Sequence, residues 1–444
     1  MSKSIMVDEV CRVEGHGGIN VSIQNGKILR VDFDIFEGAR FFEPLLRGRP
    51  YDEVASITSR ICAICSFGHT LASLQATEDA FGVKVTPQTE KLRDLMMHGE
   101  MIESHALHLF CLVLPDLLGY PSAIHMAADH KEAVVLGLGL KKLGNTMREV
   151  LGGRAIHPCN AVVGGFGKLP SVAGLMALQD PLAKALDDAM KAVDLLASLP
   201  TPNFSESPTV YAALDSVQGI YGYFGKDILI STGERLDIHG YRKLTNGKTV
   251  PHSHAKHSLF AGTPFMTGSL ARLILNEKKL RGKAVEAKGK LRMSLPTDNI
   301  FANNLAQAVE LVFSIERSRE IIGELAREGM REEKLPEVKV KAGKGTGAVE
   351  VPRGTLYHSY SYDDKGRILE ADIITPTAQN LANIEKDFRA AVENLPNEPQ
   401  DQMAFKLEMV ARAYDPCISC SVHLIEAGEG KIAKGQRPLR MKVL

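Results

Sequence analysis

Two stretches, Tyr414–His423 (YDPCISCSVH) and Arg60–His69 (RICAICSFGH), decide how the rest of the chain is read. Each carries a C-x-x-C pair, Cys417 with Cys420 and Cys62 with Cys65, with a histidine just beyond, His423 and His69. The short turn in such a pair lets both sulfurs point into one hollow, and a borderline or soft metal asks for about four ligands. Neither pair is enough alone. The spacing therefore predicts a fold in which the two ends of the polypeptide meet around one nucleus.

Three chemistries fit the pairs themselves. A structural zinc site of four thiolates needs no further residues, but such sites usually clip short loops in small domains. A catalytic metal fits equally well by spacing, and a redox dithiol needs only one pair and leaves the other unexplained. Seven cysteines in 444 residues are too few for a secreted disulfide scaffold, so metal or redox chemistry in a reducing compartment is the expectation. Lysine plus arginine and aspartate plus glutamate both number 53, with no polybasic run, which argues against nucleic acid and acidic membranes as partners. No apolar run of ~20 residues stands out, and the start MSKSIMVDEV lacks a signal-like core. A cytoplasmic protein without a membrane span is expected.

Along the chain, Ile19, Val21 and Ile23 alternate, then Val31, Phe33 and Ile35, around Asn25-Gly26. That is a β-hairpin with its turn chemistry in place. Apolar residues at three- and four-residue steps predict a helix from about Gln88 to Leu114, ended or kinked by Pro115. Further long helical patterns run through HKEAVVLGLGLKKLGNTMREVL, VAGLMALQDPLAKALDDAMKAVDLLASL and NNLAQAVELVFSIERSREIIGELAREG. Short β-like runs occupy about 205–270, and strands flank Asp363-Asp364-Lys365-Gly366. Two shorter helices, near NLANIEKDFRAAVENL and MAFKLEMVARAY, precede Cys417. The expected class is α+β, mainly helical, with a long helix bundle at its core and peripheral β-hairpins and small sheets. One multi-layer domain over 1–444 is expected, with 424–444 as a possible cleavable C-terminal extension.

The surroundings of the cysteines shift the balance among the three chemistries. RVEGHGG, RICAICSFGH, VEVPRGTLYH and DPCISCSVH add a carboxylate, imidazoles and a glycine-flanked arginine that structural zinc does not require. In this order these segments resemble the large subunit of a nickel–iron hydrogenase, over nearly the whole chain from Arg12 to His423. GGRAIHPCNAVVGGF and DPCISCSVH are similar to the cytoplasmic, multi-subunit type that serves soluble electron carriers.

The resemblance implies reversible heterolytic cleavage of dihydrogen at a nickel–iron centre whose iron carries cyanide and carbon monoxide. Cys62 and Cys417 would be terminal nickel thiolates, with Cys65 and Cys420 bridging nickel and iron. Cys417 would act as base and Glu14 as the first proton relay; taken alone, Glu14 reads as a turn residue on a solvated loop. Arg353 would hold fixed positive charge over the open positions, with Asp116 fixing its fork, Pro352 shaping the wall and Thr377 offering a hydroxyl to a cyanide. His69 would hydrogen-bond a bridging sulfur. Glu43 and His423 would bind magnesium or a similar hard cation, and Cys11, Cys111 and Cys159 are expected as packed thiols. Electrons would pass to an iron–sulfur small subunit, then to further electron-transfer subunits. A maturation protease and nickel chaperones would attend a precursor that still carries the tail. The alternative within the same site is a regulatory, dihydrogen-sensing role.

Overall fold

A computed structural model describes residues 2–38 and 40–422. His423, expected as a cation ligand, and the extension 424–444 lie outside the described residues. Asn25 and Gly26 take φ of 51° and 76°, the paired positive values that suit a two-residue hairpin loop. They join β2 (Gly17–Gln24) to β3 (Lys27–Ile35), and β1 (Ser2–Val7) pairs antiparallel with β2 on its other edge. Ile19, Val21, Phe33 and Ile35 are buried, as the alternation predicts.

Helix α1 (Ser66–Phe81) leaves the first cysteine pair, and α2 (Pro87–Leu107) follows with Thr86 as its cap, whose side chain accepts from the Thr89 N–H. Pro115 does not end this helix. The backbone passes through a π-helical turn at His108–Val113 and continues through Leu114–Leu118 until Gly119, at φ 77°, stops it. The wider turn lets the proline sit in a first helical turn, where its missing N–H costs nothing. The whole stretch Pro87–Leu118 is long and apolar enough to cross a bilayer, which inspection of the sequence for apolar runs overlooks; 67% of its most apolar window is buried inside this fold. With α3 (Lys131–Gly152), α4 (Gln179–Ser198) and α5 (Ala302–Glu328) it forms the expected long bundle.

A four-stranded sheet follows the bundle's first half: β4 (Val210–Ser216), β5 (Gly225–Ile230), β6 (Arg235–Asp237) and, beyond β7 (Ser253–His257), the short β8 (Phe265–Met266) parallel to β4. Strand β7 pairs instead with Lys248–Val250, and its Ala255 bridges antiparallel to Val422. The last sheet is β9 (Gly343–Val351), β10 (Gly354–Tyr362) and β11 (Ile368–Ile374). Val351 pairs with Gly354, so Pro352 and Arg353 form a two-residue hairpin tip. Helices α6 (Pro376–Asn394) and α7 (Gln400–Ala413) then lead to the short turn Ile418–Ser421 that carries the second cysteine pair.

Helix α1 lies against β9 at backbone distance. A Cβ on Gly345 would stand 2.1 Å from the Ala76 carbonyl oxygen, and one on Gly347 2.1 Å from that of Ala72. This contact is what seats the first cysteine pair on the sheet. Gly347→Ala is therefore expected to destabilise the protein by at least ~1–3 kcal/mol through overpacking; an unchanged thermal unfolding midpoint would rule the contact out.

Candidate metal centre

The local backbone presents each sulfur. A 3₁₀ turn at Ser59–Ile61 delivers Cys62 in extended conformation (φ −144°, ψ 140°), and Cys65 stands at the N-cap of α1. The Cys65 N–H donates to Cys62 Sγ at 3.1 Å. On the other side the Cys417 N–H donates to Thr377 Oγ1 at 2.9 Å, at the start of α6. The pairs meet as predicted: Cys62 and Cys417 sulfurs are 3.6 Å apart, Cys65 and Cys420 sulfurs 4.0 Å apart, and all four lie within 4.8 Å of one another, buried.

Such a hollow is electrostatically unfinished. Burial first, then hydrogen bonds shared with Cys420 and Cys62, pushes the Cys417 thiol well up. Burial also opposes a Cys62 thiolate, yet hydrogen bonds from Cys417, Cys420 and Cys65 and the charge of Arg353 hold that thiol well below its usual value. Full ionisation of four adjacent sulfurs out of water needs cations among them. The donor set, four sulfurs in a closed pocket, fits soft or borderline metals.

Glu14 is built into the same pocket through the backbone. It forms a parallel bridge with Cys417, and its carbonyl accepts from the Ile418 N–H at 2.8 Å. Its Oε2 accepts from Cys417 Sγ and from the Ser419 N–H, both at 3.1 Å, while the Ser419 hydroxyl donates to Oε1. Gly15 is required here: it has φ 84°, and a Cβ would stand 2.7 Å from the Ser419 nitrogen.

Arg353 projects from the β9–β10 tip, 6% exposed. Its Nε donates to the Asp415 carbonyl at 2.5 Å and Nη2 to Asp415 Oδ1 at 2.9 Å. Burial works against its charge, but Asp415 and then the thiols at Cys417, Cys65 and Cys62 hold it firmly protonated. Its Nη1 is buried with no hydrogen-bond partner among the described residues, an orphan donor that a bound group with acceptor atoms would satisfy.

The expected pairing of Asp116 with Arg353 is corrected. Asp116 accepts instead from Arg412 (Nε to Oδ2, 2.6 Å; Nη2 to Oδ1, 3.1 Å) and from Arg12. The π turn sets Asp116 between the segments that lead to Glu14 and to Cys417, so it clamps both ends of the chain. Removing one partner of such a buried pair typically costs ~3–5 kcal/mol. His69 Nδ1 lies 3.0 Å from His358 Nε2, and the His69 N–H bonds the Cys65 carbonyl. The Pro352 carbonyl accepts from Arg272. Glu43 accepts from the Ile373 N–H at 2.9 Å, and burial pushes its carboxyl up to about 7. Cys11 and Cys159 are exposed rather than packed.

Several supporting residues are not evident from the sequence. Arg40 Nη2 donates to both the Ile61 and the Ser419 carbonyls at 2.6 Å, tying the two cysteine motifs directly. Arg272 bonds Glu310, Glu350 and the Val351 and Pro352 carbonyls, which fixes the Arg353 tip. Glu310, in the apolar run VELVF, was the one available signal: a carboxylate there needs a buried partner. Behind the last motif, the Tyr414 hydroxyl donates to Asp387 Oδ2 at 2.5 Å, and Ser207 Oγ donates to Oδ1.

Known proteins share this architecture. A family described as nickel-dependent hydrogenase matches residues 40–147 and 233–423. The alpha subunit of sulfhydrogenase 1 from Pyrococcus furiosus is 42% identical, over 95% of this chain and 98% of that protein. The corresponding alpha subunit of sulfhydrogenase 2 from the same organism is 39% identical, over 95% of this chain and 99% of its own length. Among solved structures, an NAD+-reducing [NiFe]-hydrogenase in its H2-reduced state superposes with a TM-score of 0.86 at 26% identity, covering 95% of this chain and 99% of that one.

Asp387 yields a pH signature. Burial, against the donors Ser207 and Tyr414, raises its carboxyl from 3.8 to about 6. The folded protein then holds this proton more tightly than the unfolded chain, so the group's stabilisation is complete below about pH 4 and is lost as pH rises through about 6. At ~1.4 kcal/mol per tenfold change in proton affinity, the loss is on the order of 3 kcal/mol. Asp387→Asn is expected to flatten this slope in denaturant unfolding between about pH 4 and 6; a parallel slope in the variant would disprove the assignment.

Proposed function

The chain belongs to the nickel-dependent hydrogenase family, and from that premise we propose how its residues divide the work of splitting dihydrogen. It is an oxidoreductase acting on dihydrogen, the large and catalytic chain of its enzyme. Cys62, Cys65, Cys417 and Cys420 would hold a nickel–iron centre, whose bound metals supply a soft, redox-active place where dihydrogen is polarised and its electrons are taken up. Cyanide and carbon monoxide would complete the iron, beside Pro352, Thr377 and the orphan Nη1 of Arg353.

The observation that carries this reading is the 3.1 Å contact between Cys417 Sγ and Glu14 Oε2. A proton leaving the pocket at Cys417 Sγ passes to Glu14 Oε2, which the Ser419 N–H keeps in place. Arg353 cannot donate its proton away at neutral pH. It therefore contributes fixed positive charge and donors, aimed by Asp415. Thr377 Oγ1 accepts the Cys417 N–H, which leaves its own hydrogen free for a neighbouring acceptor.

Electrons need a separate route. Among the described residues, the cysteines outside the centre, Cys11, Cys111 and Cys159, do not come together in any metal-ligating group. Relatives named as alpha subunits support assembly with other chains. We infer that the immediate partner is an iron–sulfur small subunit, with further electron-transfer subunits beyond it, in a cytoplasmic setting.

Glu43, at about 7, is a carboxyl whose ionisation a cation would favour. It would bind magnesium or a similar hard cation, together with His423. A Glu43→Gln complex that keeps its full magnesium content would end that assignment. For the proton route, Glu14→Gln in the purified complex should lower exchange between dihydrogen and deuterated water by ~10²–10⁴-fold. Nickel and iron contents, and the infrared bands of cyanide and carbon monoxide, should match the parent. Exchange at the parent rate in that variant would refute Glu14 as relay.

A further inference from the structure

A second group of metal-ligating atoms lies outside the four-sulfur pocket, where β3, β7 and α6 converge. His252 and His257 bracket β7, and Glu385 stands midway along α6. One ligand atom from each lies within 4.8 Å of the other two. His252 Nε2 is 2.7 Å from Glu385 Oε1, and His257 Nδ1 is 3.7 Å from Glu385 Oε2. Asp32 on β3 adds a carboxylate oxygen 3.7 Å from His252 Nδ1. The Phe33 N–H donates to Glu385 Oε1 at 2.9 Å, so the carboxylate is held by backbone.

A plain hydrogen-bond network accounts for only half of this. His252 and the Phe33 N–H both bond Oε1 of Glu385, which leaves Oε2 facing His257. His257 is 6% exposed, its Nδ1 stands beyond hydrogen-bond range of Glu385, and its Nε2 is buried with no partner among the described residues. The orphan Nε2 shows that hydrogen bonding does not settle this ring, while its other nitrogen, Nδ1, faces Glu385 Oε2 and is the atom offered to a shared ligand. Two imidazoles and a carboxylate are a zinc-type donor set, and the oxygen-only shell of magnesium or calcium is absent from it. Zinc–ligand bonds of ~2.0–2.2 Å in tetrahedral geometry place ligand atoms ~3.3 Å apart. The 2.7 Å pair would open and the 3.7 Å pair close, each by about half an ångström, within the reach of side-chain motion.

We propose that His252, His257 and Glu385, with Asp32 beside them, form a second divalent-metal site, of zinc type and structural role, that fastens β7 to β3 and α6. The placement gives it a purpose. Ala255, between the two histidines, is the residue that bridges to Val422 just past Cys420, and the first turn of α6 carries the threonine that holds the Cys417 N–H. A cation here stiffens both supports of the second cysteine pair without touching the sulfurs.

The test uses the purified holoenzyme complex, dialysed against Zn2+ and then against metal-free buffer. Elemental analysis should find zinc at about one per chain in addition to nickel and iron, and crystals should show a zinc-edge anomalous peak between His252, His257 and Glu385. His257→Gln should lose that zinc with nickel and iron unchanged, while His257→Cys, which restores a ligand, should keep it. A parent crystal with no anomalous peak at that position overturns the proposal, as does a folded His257→Gln complex that retains the zinc. Because the parent measurement needs no variant, a substitution that fails to fold leaves the question decided.

Discussion

Four sulfur atoms closed off from water set the condition that the rest of this structure meets. Each thiolate taken from water costs several kcal/mol, and the thiols respond accordingly: Cys417 is driven toward its protonated form while Cys62 is held as the easiest to ionise. Arg353 supplies a permanent positive charge at the rim, and one guanidinium does not balance four thiolates. A pocket arranged in this way is stable in its ionised form only with metal inside it. Its chemistry and its stability therefore depend on the same occupant.

Holding the pocket closed is a problem of chain topology, since its halves come from opposite ends of a long polypeptide. The entropy of closing a loop grows only with the logarithm of its length, ~0.6 kcal/mol per doubling, so the separation itself is inexpensive. The joint is made mostly of backbone. Glu14 bridges to Cys417, Ala255 to Val422, and Arg40 binds the carbonyls of Ile61 and Ser419. Backbone partners cannot change rotamer, which suits a site where sulfur positions must be kept. The bundle then acts as a scaffold: α5 sends Asn303 to the Ala413 carbonyl and Gln307 to Asp415, bracing the segment before Cys417.

Much of this is legible in the sequence, for identifiable reasons. The hairpin at Asn25-Gly26 and the long helices follow from local turn chemistry and a 3.6-residue period, which sequence carries directly. The meeting of Cys62, Cys65, Cys417 and Cys420 follows from ligand chemistry, because two sulfurs leave a metal short. What resists are relations between distant residues. Nothing local shows that Asp116 turns toward Arg12 and Arg412, since a π turn just upstream rotates it. The glycines at 343, 345 and 347 are visible as a period-two stripe, yet only the approach of α1 gives them meaning. Glu43 can be placed, but its companion His423 lies beyond the described residues.

The exchange of partners between Asp116 and Asp415 alters how the site comes together. An aspartate on the long helix would have aimed Arg353 whether or not the C-terminal motif had docked. Asp415 belongs to that motif, two residues before Cys417, and is itself held at φ 51° by its place in the Asp-Pro turn. Arg353 gives Nε to the carbonyl of this residue and Nη2 to its carboxylate. It therefore acquires its orientation in the same event that brings in the second pair of sulfurs. Asp116, meanwhile, stays bound to arginines on the two segments being joined, Arg12 ahead of Glu14 and Arg412 ahead of Asp415. One acid joins the ends and the other aims the charge, so a complete set of sulfurs and a correctly directed guanidinium arrive together.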